Sequence, residues 1–392
     1  MLYNFDRLIS RRNTGCYKWD ANKTVFGRDD LLSFWVADMD FPCAQPIVEA
    51  IQERMKHPFL GYTFQTDAYY EAIINWLKKR HGWEVEREWL AFCATGVIQA
   101  IHLMVDRFTG QGDEIILHLP AYRPLIHLIT RNKRKLIKNF LIQKNNHYII
   151  DFEDLLSKVS LKTKLLLLCS PHNPTGRVWT RDELIQLGDI CLSNHITVIS
   201  DEIHADLVFK NVMHFPFGSL SHDFAMNSIT CISASKTFNI SGLQLATLII
   251  PNPELRTIVN EALDTAQVTH GNVFGEVALE AGYRYCEDWL EQVMDYIESN
   301  LAYLSTFINE QMPEVDMVRP QGTYLVWLDF RKCKIPAEEM KRAFIDEAHI
   351  ALYDGSQFGE EREGFFRMNI ACPKSVLEEG LKRMANVMKK FS

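Results

Sequence analysis

Six stretches in the middle of the chain are almost unbrokenly apolar: residues 114–119, 136–142, 164–169, 196–200, 229–233 and 245–250. Continuous apolarity, rather than alternation of apolar and polar positions, marks strands with both faces covered. Between these stretches the period lengthens. Ile98, Ile101, Val105 and Phe108 recur at helical spacing, and Thr180 with Glu183 forms a capping box ahead of Leu184, Leu187 and Ile190. Strand and helix alternate, which predicts an α/β domain with a mostly parallel sheet flanked by helices.

The last third reads differently. Residues 323–329 predict a strand and 337–348 a helix. Ser375 with Glu378 predicts a second capping box, opening a terminal helix with Leu377, Leu381, Met384 and Met388 on one side. This is the pattern of a smaller α+β domain. Residues 20–30 are polar and read as helix-poor, and the N-terminal segment is expected to pack on that domain. The expected division is an N-terminal segment 1–48, a large domain 49–287 and a small C-terminal domain 288–392.

Composition narrows the classes. A chain of 392 residues buries a core without disulfide or metal staples. Its 42 Lys and Arg against 50 Asp and Glu give a net charge of −8, which offers no footprint for nucleic acid. Arg131, Lys133, Arg134, Lys135 and Lys138 form one basic cluster, read as a solvated loop entering the strand at Leu136. The nine cysteines include no Cys-x-x-Cys pair, so zinc ribbons and dithiol redox centres lack support. Cys169 and Cys231 stand in apolar runs as small buried residues. The N-terminus lacks the basic-then-apolar order of a signal peptide, and no apolar run approaches the ~18 residues of a membrane span. A reducing cytoplasm is expected, with no membrane partner.

Phosphate-binding Gly-x-Gly-x-x-Gly and P-loop motifs are missing, as are His-Glu-x-x-His and Gly-x-Ser-x-Gly. Polar residues placed just after apolar strands remain. In open α/β sheets ligands bind at the carboxyl ends of the strands. Ser170-Pro171-His172-Asn173-Pro174-Thr175-Gly176, Asp201-Glu202-Ile203-His204 and Ser233-Ala234-Ser235-Lys236-Thr237 each follow a predicted strand. Singly, Asn173 is a turn residue, Asp201 a loop cap and Lys236 a surface lysine. Together they suit carbanion chemistry beside an amino group. A lysine amine forms a Schiff base with the aldehyde of pyridoxal phosphate, and an aspartate keeps the pyridine nitrogen protonated. An asparagine can donate to the phenolic oxygen, while serines and helix N-terminal amides hold the phosphate.

With Arg367 in Phe366-Arg367-Met368-Asn369, these stretches resemble the fold-type I pyridoxal-phosphate enzymes of the class I/II aminotransferase superfamily. Asn173, Asp201, Lys236 and Arg367 are separated by 28, 35 and 131 residues, which suits that family. Trp35-Val36-Ala37-Asp38-Met39-Asp40-Phe41, Ser200–Leu207 read as Ser-Asp-Glu-Ile-His-Ala-Asp-Leu, and Asn369-Ile370-Ala371-Cys372-Pro373 resemble its PatB/MalY branch. That branch contains cystathionine β-lyases and related carbon–sulfur lyases. Lys18-Trp19-Asp20 and Lys236-Thr237-Phe238-Asn239-Ile240 support the same likeness.

The resemblance implies a large pyridoxal-phosphate domain and a smaller domain. It makes Lys236 the Schiff-base lysine and proton shuttle, Asp201 the partner of the pyridinium, and Asn173 a contact of the phenolic oxygen and the substrate carboxylate. Arg367 would hold that carboxylate bidentately. Tyr122 would stack on the ring, unless it is a turn aromatic between Pro120 and Pro124. Val97 and Ile98, after Thr95-Gly96, and Ser233 would bind phosphate, although Ser233 also reads as a strand-end hydroxyl. Tyr62 would reach the phosphate of a neighbouring subunit, making the active site a property of a homodimer.

Two positions depart from the wider aminotransferase pattern. His204 stands where many relatives have a tyrosine, as a hydrogen-bond donor or a structural histidine. Gln244 stands where many have a phosphate-binding arginine, so the cradle should lean on Ser233, backbone amides and Tyr62. Once the α-proton is lost, expulsion of sulfur from Cβ gives elimination, and reprotonation on the cofactor gives transamination. The first expectation is a β-lyase acting on cystathionine, L-cysteine or related cysteine S-conjugates. An aminotransferase is the second, and a regulatory protein acting through protein contacts the third.

Overall fold

The computed structural model describes residues 2–144, 147–359 and 362–391. At its centre lies a seven-stranded sheet built from β1 (Leu90–Cys93), β2 (Glu114–Leu119), β3 (Lys135–Phe140), β4 (Thr163–Cys169), β5 (Thr197–Asp201), β6 (Ser228–Ile232) and β7 (Ala246–Ile249). Their spatial order is β1-β7-β6-β5-β4-β2-β3. Strands β2 to β6 run parallel, and β7 runs antiparallel to β6 and β1.

Both faces of this sheet are covered, which explains the unbroken apolar runs. Ile115, Leu117, Leu165 and Leu167 pack with Ile101 and Val105 of helix α1 (Val97–Phe108). The intervening Ile116, Leu166 and Leu168 face Leu184, Leu187 and Cys191 of helix α2 (Arg181–Ser193). Burying each such side chain contributes about 1.5–3 kcal/mol. The Thr180–Glu183 box is formed in both directions. The predicted strand 136–142 ends at Phe140, after which residues 142–144 join a separate hairpin with 147–149. Sequence reading missed β1, a short strand on the sheet's edge.

The C-terminal part forms a four-stranded antiparallel sheet of β8 (Asp316–Met317), β9 (Leu325–Asp329), β10 (Tyr353–Asp354) and β11 (Phe365–Asn369), in the order β8-β9-β11-β10. β9 begins two residues later than predicted because Thr323 takes a left-handed φ of 65°. The predicted helix 337–348 is α-helical over Ala337–Arg342 and continues as a π-turn over Ala343–Glu347. The terminal helix buries Leu377, Leu381, Met384 and Met388, but the Ser375–Glu378 box does not form. Pro373 holds the cap position, and the Lys374 amide donates to the Tyr296 hydroxyl at 2.7 Å instead.

The N-terminal stretch also differs from expectation. Residues 20–30 are not helix-poor: short helices span Tyr17–Asp20 and Asn22–Phe26, the second stopped by Gly27 at φ 80°. Each buries a polar residue, Lys18 or Asn22, which is why an apolar period did not betray it. Leu32–Ser33 then pairs in parallel with Ile350–Ala351. Among the described residues no helix is long and apolar enough to cross a membrane.

Candidate active site

Three neighbouring strands end at one cavity. β4 hands the chain to the turn Asn173-Pro174-Thr175-Gly176, β5 ends on Asp201, and β6 leads through Ser233 into the short helix Ala234–Thr237 that carries Lys236. Register puts these ends on one rim: Cys169 lies opposite Asp201, and Asp201 opposite Cys231. Gly176 closes the turn at φ +67°, where a Cβ would collide with Pro320.

The cavity, of about 350 Å³, is lined by Asn173, Asp201, His204 and Lys236, together with Tyr122, Val97 and Ile98. Gly96, at φ 90°, precedes α1 and caps it with no side chain, so the first helical amides and the positive end of the helix dipole serve an anion there. Lys236 and Asp201 are the only charged residues among the lining. Gln244 reaches the rim as a neutral amide.

Burial shapes the titration of every group. It lowers the Lys236 amine to about 8, with Asp38 opposing, Arg367 reinforcing and Asp201 opposing. It raises Asp201 to about 6, against the Ile203 amide and with added repulsion from Glu202. His204 falls to about 3, through burial and then Lys236 and Arg367, so the imidazole is neutral at physiological pH. Its Nδ1 is buried with no hydrogen-bond partner.

Arg367, on β11, lies just behind this lining. Nη1 donates to Asn173 Oδ1 at 3.0 Å and Nη2 to Trp35 O at 2.7 Å, while Nε is buried without a partner. Tyr353 and Phe358 each stand 5.0 Å from the guanidinium. Burial lowers its pKa to about 10, and the groups that oppose this are tyrosines, not carboxylates. A buried cation with no counter-ion is costly unless an anion joins it. A carboxylate is the kind of group that such a guanidinium can accommodate.

The roof is a strap that sequence reading did not place at the site. Ala37 O accepts from Lys236 Nζ at 2.8 Å and from the Tyr324 hydroxyl at 3.1 Å. Asn369 Nδ2 donates to Val36 O and Asp38 O at 2.7 and 2.8 Å. Ser241 also accepts from Lys236, at 3.2 Å. Beneath the strap, fully buried Lys18 pairs with Asp40 at 2.8 Å, and Arg11 bridges Asp38 and Asp40. The stretch 35–41 carried part of the family likeness, but no local pattern signals that its carbonyls face a lysine.

Two predicted cofactor contacts lie off this cavity. Ser233 caps the helix Ala234–Thr237 and donates to Leu245 O at 2.6 Å, leaving Ser235 to line the wall. Tyr62 is 99% exposed, beside His270, and does not line the cavity of its own chain.

The residues present fit pyridoxal phosphate. The helix amides and hydroxyls suit the phosphate, Asp201 a protonated ring nitrogen, the Asn173 amide and the unpartnered His204 Nδ1 the phenolic oxygen, and Lys236 the aldehyde. The model for "Aminotransferase class I and II" matches residues 29–384. The chain is 40% identical to cystathionine β-lyase PatB of Bacillus subtilis over 97% of its own length and 98% of that protein. It is 33% identical to protein MalY of Escherichia coli, over 99% of both chains. The crystal structure of cystalysin from Treponema denticola, which contains a pyridoxal 5'-phosphate cofactor, superposes with a TM-score of 0.97 at 35% identity over 100% of both chains.

Proposed function

The chain belongs to the class I and II aminotransferase family, and from that premise we propose that it is a pyridoxal-phosphate-dependent carbon–sulfur β-lyase. Its substrates are cystathionine, L-cysteine or related cysteine S-conjugates, and its products a thiol, pyruvate and ammonia. One observation carries the amino-acid chemistry: a single cavity brings together an amine of lowered basicity, a buried anion and, through Asn173, a guanidinium lacking an anion. Elimination rather than transamination is favoured by the likeness to PatB along nearly the whole chain.

Each residue then has a task. The cofactor, when bound, supplies an electron sink in its pyridinium ring. Asp201 would hold the proton on the ring nitrogen by its charge, and Tyr122 would stack on the ring. Amides of Val97 and Ile98 bind the phosphate. Arg367 orients the substrate carboxylate with Asn173 beside it, and neutral His204 donates a hydrogen bond into the cavity. Lys236 would hold the cofactor through its aldehyde, and its amine would take the proton from the substrate's Cα. The Cα–H electrons expel the thiolate from Cβ, and the three-carbon remainder takes up water to give pyruvate and ammonia.

Exposed Met55, Phe59, Leu60, Tyr62 and Phe64 form an apolar patch that supports pairing of two chains, with Tyr62 completing the partner's phosphate site. The two separate main sheets support a division into residues 1–48, 49–287 and 288–392, and the free cysteines suit a reducing cytoplasm. The test is direct. Purified enzyme given cystathionine should release pyruvate without any keto acid, and strict dependence on a keto-acid acceptor would make it a transaminase instead.

A further inference from the structure

A second hollow, of about 320 Å³, adjoins the reaction cavity and shares Tyr122 with it. Its inner wall is Tyr353 and Phe358, the rings that flank Arg367. Its outer wall is one face of the helix Arg123–Arg131, presenting Arg123, His127 and Arg131 at successive turns. Among the described residues no acidic side chain is in the lining.

The charges are arranged rather than incidental. Arg123 is steadied by Gln357 Oε1 and by His127, to which its Nε donates at 3.1 Å. Among the described residues neither Arg123 nor Arg131 makes an ion pair with a carboxylate. His127 is pushed below its ordinary pKa by burial and then by Arg123 and Arg131, so it stays a neutral acceptor for Arg123. Tyr353 lies under the influence of Arg367 on one side and Arg123 on the other.

We propose that this hollow receives the substituent on the substrate's sulfur, and that Arg123 and Arg131 select cysteine thioethers whose tail carries net negative charge. The inference rests on the lyase reading and deepens it. With the α-carboxylate held at Arg367 and Cα at Lys236, the tail beyond sulfur leaves past Tyr122 into a region with two cations that no carboxylate among the described residues pairs. An anionic tail gains there, a neutral one does not, and a cationic one is repelled.

The experiment compares three substrates of similar size: S-(2-carboxyethyl)-, S-(2-carbamoylethyl)- and S-(2-aminoethyl)-L-cysteine. The wild-type holoenzyme should prefer the acid over the amide by about tenfold in kcat/KM, with the amine lowest and the preference shrinking as salt rises. In Arg123→Gln/Arg131→Gln the acid-to-amide ratio should fall to about one. That ratio, taken within one preparation, does not depend on how much of the variant folds. Pyruvate from all three at equal kcat/KM, or a preference that survives the double substitution, overturns the subsite alone. No pyruvate from any of them overturns the lyase reading and the subsite with it.

Discussion

The cavity has two walls of different make. The floor is the end of a sheet: Asn173, Asp201 and Lys236 stand where β4, β5 and β6 stop, on strands fixed by apolar packing on both faces. The roof is the strap Trp35–Asp38, held by hydrogen bonds from Arg367, Asn369, Tyr324 and Lys236 across large sequence separations. The floor sets which atoms react. The roof sets where the Lys236 amine and the Arg367 guanidinium rest. A floor made by burial tolerates polar change on its rim, whereas a roof made by paired charges fails when one partner is removed.

The floor gives the largest predicted effect. Lys236→Ala should cut pyruvate release by about 10³-fold or more, since both the attachment point and the proton carrier are lost. The absorbance of the bound cofactor should shift, while the thermal transition of the cofactor-free protein should stay close to wild type. Attachment of the cofactor should also follow pH. The neutral amine is the reactive form, so uptake should rise with pH through about 8. At pH 7.5 about a quarter of such an amine is neutral, against about one in a thousand at the ordinary lysine value. Uptake that keeps rising to pH 10 would mean that burial does not tune this lysine.

The same division governs what could be read before the structure. The floor was legible because each strand announces itself by unbroken apolarity and ends on a polar residue, so Asn173, Asp201 and Lys236 followed from local sequence. The roof was hidden because its short helices bury Lys18 and Asn22 rather than an apolar stripe, and because carbonyls carry no sequence signature. Ser233 is ambiguous for a related reason: a hydroxyl at a strand end serves a cap or a ligand equally well, and here it caps the helix Ala234–Thr237 and donates to Leu245 O.

Two substitutions at the roof and one surface control sharpen the contrast. Arg367→Leu should weaken binding of a substrate amino acid by about 10²-fold, measured by spectral titration of the cofactor-loaded protein. Stability should change little, because losing two hydrogen bonds is offset by removing a buried cation without a counter-ion. A large drop in the urea midpoint would show Arg367 to be structural. Asp40→Asn should do the opposite. It strands Lys18, fully buried, and should cost about 3 kcal/mol in urea unfolding. Lys78→Ala, which breaks the exposed pair with Glu84, should cost under about 1 kcal/mol. Equal costs for the two would erase the distinction drawn for the roof.

The smallest expected effect lies on the floor's rim. Gln244 lines the cavity from an exposed position at φ 45°, and among the described residues Lys236 is the one cation that lines it too. Gln244→Arg adds a charged donor toward the phosphate without adding backbone strain, because a residue with a side chain already holds that left-handed conformation. Hydrogen bonds to charged groups contribute about 1.5–3 kcal/mol net, and neutral ones about 0.5–1.5. The gain of about 1 kcal/mol should tighten cofactor binding about fivefold. Equilibrium dialysis at low salt should show it, and molar salt should remove most of it, because the position is open to solvent. An unchanged dissociation constant would mean that the α1 amides already saturate the phosphate, leaving the floor's neutral cradle sufficient by itself.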